Sequence, residues 1–344
     1  MGYADHAEPA SCRPQNQKHA IEKIASHPTQ FNHPSYGRNH NMIKKITIPG
    51  ETTFQSDMVQ IDPATFESHV DNQPFAIQHK LQQHPLFQLE NLVELSKRLP
   101  RKQREYVFSK QEFGTHEDLE HYKHAADNDE LSTDELIKAI EHQNIVIVLR
   151  NVESDSIYGQ FVNECLDSLG EFVEPVTGKI SGRESFIFVS PPQAYTPYHY
   201  DPEQNFFMQI RGKKQMAIYD VNDRDVLPEE ALEKFYNEGQ RITNCSDSLF
   251  EQHQLFEMNP GDGVYVPVTA PHWVRTLDEI SISVSINFRT PSSIRRDRVY
   301  RMNRMLRKAG LRPHPVSTQA NTWSELTKSA LLGGPATIKN LVRK

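Results

Sequence analysis

The chain has 344 residues, a net charge of −7 and 37 % hydrophobic residues, enough for one large domain with appendages or for two domains. The acidic balance argues against a general nucleic-acid binder, and no apolar run approaches the ~20 residues that span a membrane. Cys12, Cys165 and Cys245 are scattered and odd in number, which suggests neither a disulfide framework nor a cysteine zinc site and makes a reducing cytoplasm the simplest location. No apolar signal core opens the chain, and His6 stands where a myristoylation pattern needs Ser or Thr.

Residues 1–41 are rich in His, Asn, Gln, Pro and Ser without periodicity, and a disordered arm is expected. Residues 42–184 are expected to form a helix and strand region that packs on a barrel. Within it, MIKKITIPGE from Met42 reads as a strand, Phe66 to Leu81 as a short helix followed by a strand near Pro74–Ile77, and Leu86 to Leu99 as a helix stopped by Pro100. Arg101 to Glu130 has little pattern and reads as mostly loop. Ser132 with Glu135 forms a capping box for a helix through His142. Ile145–Leu149 reads as a strand buried on both faces. After Asp155, Ile157, Phe161, Val162, Cys165, Leu166 and Leu169 recur with helical period, with Gly170 as the stop.

From about Ser185 the period changes to strands. SFIFVS, QNFFMQI, KQMAIYD, DGVYVPV and EISISVSINF are short, serial and punctuated by Gly, Pro and Asp. They predict an all-β core over residues 185–290, an antiparallel barrel or jelly roll, with a helix at Pro228–Tyr236 and helices on either side of the core. Residues 291–344 are helical. The first helix, about Ser292–Lys308, carries seven basic residues and one acidic residue. A second begins with the capping box Thr322 and Glu325 and ends at Gly333-Gly334. Pro335 opens a last turn with Ile338, Leu341 and Val342 on its face.

YTPYHYDPEQNFFMQIRGKK, from Tyr195 to Lys214, holds His199 and Asp201 two residues apart, so on a strand both side chains point to one face. A third ligand, His272, follows in PGDGVYVPVTAPHW. Two imidazoles and a carboxylate with open positions opposite are the ligand set of a non-haem Fe(II) oxygenase. If Arg211-Gly212 is a two-residue hairpin turn, Lys214 shares a face with Asn205, Phe207 and Gln209. A turn one residue longer brings Lys213 inward instead. In the last strand Ile282, Val284, Ile286 and Phe288 form an apolar face, and Ser281, Ser283, Ser285, Asn287 and Arg289 a small polar one suited to lining a pocket. A dicarboxylic keto acid that chelates the metal at one end needs a buried cation at the other. Lys214, with the Thr196 hydroxyl as a second donor, is the candidate, and Asn205 and Asn287 are candidates for the metal-bound end.

TPYHYDPEQNFFMQIRGKK, then PGDGVYVP, His272 and SINF, resemble the cupin-fold, Jumonji-C-like 2-oxoglutarate oxygenases, and within them the asparaginyl hydroxylase that acts on the hypoxia-inducible factor. The resemblance implies a double-stranded β-helix with Fe(II) on His199, Asp201 and His272. It implies that Thr196 and Lys214 bind the distal carboxylate of 2-oxoglutarate, in favour of Lys214 over Lys213, and that Asn205 and Asn287 flank its metal-bound end. Dioxygen is the second co-substrate, a protein or peptide the expected substrate, and the C-terminal helices, near Leu331 and Leu341, the expected homodimer contact. Two departures stand out. The stretch Ile145–Arg150 lacks the tyrosine with which the related hydroxylase contacts 2-oxoglutarate, and Arg289 stands where that enzyme has a pocket tryptophan. Arg289 is therefore either a contact for an anionic or polar substrate group or part of a structural ion pair. Rival readings are the same chemistry on a small molecule, and a non-catalytic cupin acting as a regulatory module through the basic stretch Arg295–Lys308, against a plain solvated helix face.

Overall fold

The computed structural model describes residues 58–108, 140, 145–239, 253–316 and 323–333. These residues form strands β1 (Val59–Gln60), β2 (Phe75–His79), β3 (Arg104–Phe108), β4 (Ile145–Arg150), β5 (Ser181–Ser190) and β6 (Tyr195–His199). β7 (Gln204–Arg211), β8 (Lys214–Tyr219), β9 (His253–Met258), β10 (Asp262–Val266), β11 (His272–Thr276) and β12 (Ser281–Arg289) follow. The helices are α1 (Pro63–His69), α2 (Leu89–Arg98), α3 (Ser156–Thr177), α4 (Glu229–Glu238), α5 (Pro291–Lys308) and α6 (Trp323–Gly333).

All strand pairs are antiparallel, in an eight-stranded sheet of order β1-β2-β10-β7-β12-β5-β4-β3 and a four-stranded sheet of order β6-β11-β8-β9. Strands from before residue 181 thus extend the same sheet as β5, β7, β10 and β12. The alternation of β12 decides which face is which. Ile282, Val284, Ile286 and Phe288 are at most 1 % exposed and join one apolar core with Phe161, Leu166 and Leu169 of α3. Each such side chain contributes about 1.5–3 kcal/mol by leaving water. The serine face of β12 turns the other way, toward the four-stranded sheet.

Helix ends follow local chemistry. The Asp155 side chain accepts from the N–H groups of Ile157 and Tyr158 at 3.1 and 3.2 Å, which starts α3. Gly170 does not stop it. Val173 and Thr177 continue its buried stripe, and the helix ends at Gly178, where φ is +82°. Burial outweighs the weak helix preference of one glycine. Thr290 caps α5 with a Thr290–Ser293 capping box and proline at its start. Arg304 and Arg307 of α5 pair with Glu238 (2.8 Å) and Glu233 (2.9 Å) of α4. The basic stretch is thus, in these residues, a helix face packed on an acidic neighbour.

Three other expectations change. Arg101–Gln103 is a short turn of helix and Arg104–Phe108 a strand, where loop was expected; pairing with β4 supplies what local pattern lacks. β4 is buried on one face only, with Val146, Val148 and Arg150 half-buried. Arg211-Gly212 is no hairpin turn, because β7 pairs with β10 and β12 while β8 pairs with β9 and β11. The chain steps there from one sheet to the other. Gly212 makes the step possible: its φ is +70°, and an added Cβ would stand 2.5 Å from the Ile280 carbonyl oxygen. Gly212→Ala is expected to cost at least ~1–3 kcal/mol, read as a lower urea midpoint. An unchanged midpoint would show the step to be unconstrained.

The arm at 1–41, the strand from Met42, the capping box at Ser132, Thr322 and the turn after Pro335 lie outside the described residues. No helix of the described residues is long and apolar enough to cross a membrane.

Candidate metal centre and co-substrate pocket

His199 ends β6, Asp201 follows in the loop to β7, and His272 opens β11 directly opposite His199. One ligand atom from each of the three lies within 4.8 Å of the others. The Asp201 Oδ2 atom is 3.7 Å from His199 Nε2 and 3.9 Å from His272 Nε2, too far for a hydrogen bond. The two imidazole centroids are 4.3 Å apart.

The outer nitrogens explain the ring orientations. His199 Nδ1 lies 2.7 Å from the Pro197 carbonyl and His272 Nδ1 3.0 Å from the Ala270 carbonyl. A carbonyl only accepts, so each Nδ1 carries a proton and donates it. With Nδ1 so engaged, each ring presents its Nε2 on the side of Asp201, the arrangement that metal-ligating histidines show. Burial first, and His199 second, push the pKa of His272 below the ordinary imidazole value, which keeps that ring in its ligating, neutral form. The donor set suits a divalent metal: two neutral nitrogens and one carboxylate on one side, with the other side open.

Lys214 opens β8 and is 4 % exposed, whereas Lys213 is exposed. The inward lysine agrees with the expected parity, although the sheet-to-sheet step and not a hairpin turns it inward. Its Nζ crosses the gap between the sheets and donates to Ser283 Oγ at 2.6 Å and, more weakly, to Ser190 Oγ at 3.4 Å. It lies 5.7 and 5.5 Å from the ring centroids of Phe188 and Phe207. Among the described residues no carboxylate pairs with it, and burial lowers its pKa to about 7. A buried cation held by two hydroxyls and two aromatic faces is costly until an anion reaches it.

Paired residues of a sheet share a face, so the register places the remaining candidates. His199, His272 and Ile218 form one row across the four-stranded sheet, Thr196, Val274 and Met216 the next, and Thr276 and Lys214 the third. Strict alternation would put Thr196 and His199 on opposite faces. A bulge in β6 opposite His272–Val274 corrects this, and Thr196, which is exposed, falls between the metal triad and Lys214. Asn205 and Asn287 face each other across β7 and β12, and Ser285 Oγ joins their side-chain oxygens at 2.8 and 2.7 Å. A hydroxyl has one proton, so one of the two amides is turned to donate its NH2 to Ser285.

Arg289 is engaged with protein: Nη2 is 2.7 Å from Glu203 Oε1 and Nη1 3.6 Å from Asp297 Oδ2. Of the two roles open to it, the structural ion pair is the one the geometry displays. Sequence reading missed Ser190, Phe188 and Glu203. Ser190 and Phe188 follow from the β5–β12 register, which pattern alone does not supply. It also missed Arg150, 5.4 Å above the Phe186 ring and 2.6 Å from Glu105, on the same half-open inner wall. Tyr106 is no substitute for the absent tyrosine. It lies opposite Ile147 and packs against the apolar core. Away from these residues, a cavity of about 790 Å³ lined by Val59, Ile77, Phe172, Phe256 and Met258 contains none of the candidates.

The family model described as Cupin-like domain matches residues 63–294, more than half of the chain. The chain belongs to the cupin-like domain family. Its β core is accordingly a cupin-like jelly roll with flanking helices. Among curated relatives, this cupin-like chain is 33 % identical over 101 residues to "Lysine-specific demethylase 8" of Xenopus tropicalis, covering 28 % of this chain and 23 % of the relative. It is 30 % identical over 99 residues to "JmjC domain-containing protein D" of Dictyostelium discoideum, covering 27 % and 22 %. The match thus spans about a quarter of the length of these relatives. Among solved structures it is similar to that of Escherichia coli ycfD, at 16 % identity and TM-score 0.46, over 83 % of this chain and 69 % of that one. Another structure of that protein, a ribosomal oxygenase in complex with cobalt and 2-oxoglutarate, gives 15 % identity and TM-score 0.45, over 83 % and 68 %.

Proposed function

We propose that this protein is an Fe(II)- and 2-oxoglutarate-dependent oxygenase that hydroxylates a side chain of a protein or peptide. The observation that carries the reading is the combination on one inner surface of the His199–Asp201–His272 cluster with a buried lysine, Lys214, that has no carboxylate partner among the described residues. His199, Asp201 and His272 would hold the iron. Lys214 and Thr196 would bind the distal carboxylate of 2-oxoglutarate, and Asn205 and Asn287, steadied by Ser285, would orient its metal-bound end. Lys214 is buried beside the Phe188 and Phe207 rings, so an ion pair there forms in a medium where it is strong. Bound Fe(II) supplies dioxygen activation: 2-oxoglutarate, O2 and a substrate C–H become succinate, CO2 and C–OH. The chain's part is to hold the two co-substrates in register and admit the substrate last.

The test is succinate release from 2-oxoglutarate with and without Fe(II), together with mass spectrometry of peptides captured on metal-substituted protein. Release that needs iron and dioxygen, with a captured peptide gaining one oxygen, is the expected result. No turnover and no 2-oxoglutarate binding would contradict it and favour a binding module. The names of the curated relatives favour a second reading, removal of a methyl group from lysine. Hydroxylation of an N-methyl carbon gives an unstable carbinolamine that releases formaldehyde, so formaldehyde in the reaction distinguishes the two.

A homodimer through the C-terminal helices belongs to the same proposal. Trp323 and Leu331 of α6 are 84 % and 72 % exposed, as a covered apolar face requires. Light scattering at twice the chain mass, lost in Leu331→Arg, is expected.

A further inference from the structure

We propose that Arg289 is a positioning residue for the metal-binding loop, holding Asp201 in place by fastening Glu203 to helix α5. The proposal rests on the reading of His199, Asp201 and His272 as a metal centre. Asp201 and Glu203 lie two residues apart in the connection from β6 to β7, where the chain passes between the sheets. The Glu203 side chain is only 10 % exposed. Among the described residues Arg289 is the cation that meets it, through Nη2 at 2.7 Å and Nε at 3.1 Å. The third nitrogen, Nη1, reaches Asp297 Oδ2 at 3.6 Å. Asp297 lies in the second turn of α5 and is itself held by Arg301 one turn further on. One guanidinium therefore ties together the loop, the end of β12 and α5.

The arginine has a built seat. A bulge separates Asn287 from Arg289 in the β12–β5 register. On the β5 side stands Gly182, with φ +60° and the stem carbons of Arg289 3.4 Å from where a Cβ would be. A planar fork of donors can serve both carboxylates, which a single ammonium cannot. With Arg289 removed, the Glu203 carboxylate is left buried and uncompensated. It turns to water, and the backbone that carries Asp201 moves with it. Partners of this kind, one step from the ligands, change metal affinity about 10–100-fold.

The experiment is calorimetric titration of metal-free full-length protein with Co(II), without co-substrate, for wild type, Arg289→Ala, Arg289→Lys, Glu203→Gln and the Glu203→Gln/Arg289→Ala pair. Thermal unfolding is the folding control. Arg289→Ala is expected to weaken Co(II) binding about 10–100-fold, and Arg289→Lys to recover only part of it. In the Glu203→Gln background, the loss of Arg289 is expected to matter less than about threefold, because no buried carboxylate remains to be stranded. Wild-type Co(II) affinity in folded Arg289→Ala overturns the proposal. If that variant does not fold, wild-type affinity in Arg289→Lys does the same. Failure of the wild type to bind Co(II) overturns both the proposal and the metal-centre reading beneath it, so the two failures are distinguishable.

Discussion

Lys214→Met is expected to weaken 2-oxoglutarate binding by about 2–5 kcal/mol, roughly 30-fold or more, while the ligand-free protein stays at least as stable. The two halves have one cause. In the free protein the Lys214 ammonium is buried against Ser283, Ser190, Phe188 and Phe207 without a counter-charge, so replacing it with an apolar chain of similar length removes a desolvation cost. In the complex that same cation meets the distal carboxylate. A residue retained for packing would show the opposite: lower stability and unaltered affinity. The pH dependence follows from the pKa of about 7. An unfolded chain carries a lysine near 10.4, so between pH 7 and about 10 the unfolded state holds the proton and the folded state does not. Stability therefore rises with pH across that window, and the cost of burying the charge is fully present below it. A bound carboxylate restores the charge. Binding at pH 8 is thus expected to take up a proton, seen as a calorimetric enthalpy that changes between buffers of different ionisation enthalpy. Buffer-independent enthalpy would show that Lys214 is not the carboxylate's partner.

Asp201→Ala is expected to weaken Fe(II) or Co(II) binding by at least about 100-fold and to abolish turnover. Asp201 is the anionic member of the cluster, and without it two neutral imidazoles face a divalent ion. The His199 and His272 rings keep their carbonyl partners, Pro197 and Ala270, so their orientation is not expected to change. The fold should also survive, since the Asp201 side chain is partly exposed, at 25 %. Isothermal titration with the metal, next to a thermal melt, separates loss of ligation from loss of fold. Metal affinity within a few-fold of wild type would place the metal elsewhere.

Much of this site was legible in residue order because it depends on short spacing and strand alternation. The serine face of β12 opposes an aliphatic one whatever the sheet order. The His199–Asp201 spacing also holds, but β6 ends at His199 and Asp201 stands in the loop, not on the strand expected to carry both. Lys214 faces inward as hairpin parity expects, but no hairpin turns it there. Two residues between strands suggested a hairpin, while the preference of β7 for β10 and β12 sent β8 to the other sheet. Thr196 depends on a bulge, for which Pro197 inside YTPYH is the one local signal, since a strand proline marks an edge strand or a bulge without fixing which. Gly170 resembles a helix stop in residue order, but α3 runs past it because Val173 and Thr177 have further surface to bury. The Arg289–Glu203–Asp297 group joins three separated segments and is visible only once they are folded together.

The most direct test of the metal and co-substrate site is the visible charge-transfer absorption that a 2-oxo acid gives on chelating Fe(II), recorded without oxygen. The wild-type protein, given one equivalent of Fe(II) and titrated with 2-oxoglutarate, is expected to develop this band to a stoichiometric end point. Asp201→Ala should give no band, and Lys214→Met the same band only at much higher 2-oxoglutarate. No band from the wild type at saturating 2-oxoglutarate, or superimposable titrations of wild type and Lys214→Met, would contradict the assignment of His199, Asp201, His272 and Lys214.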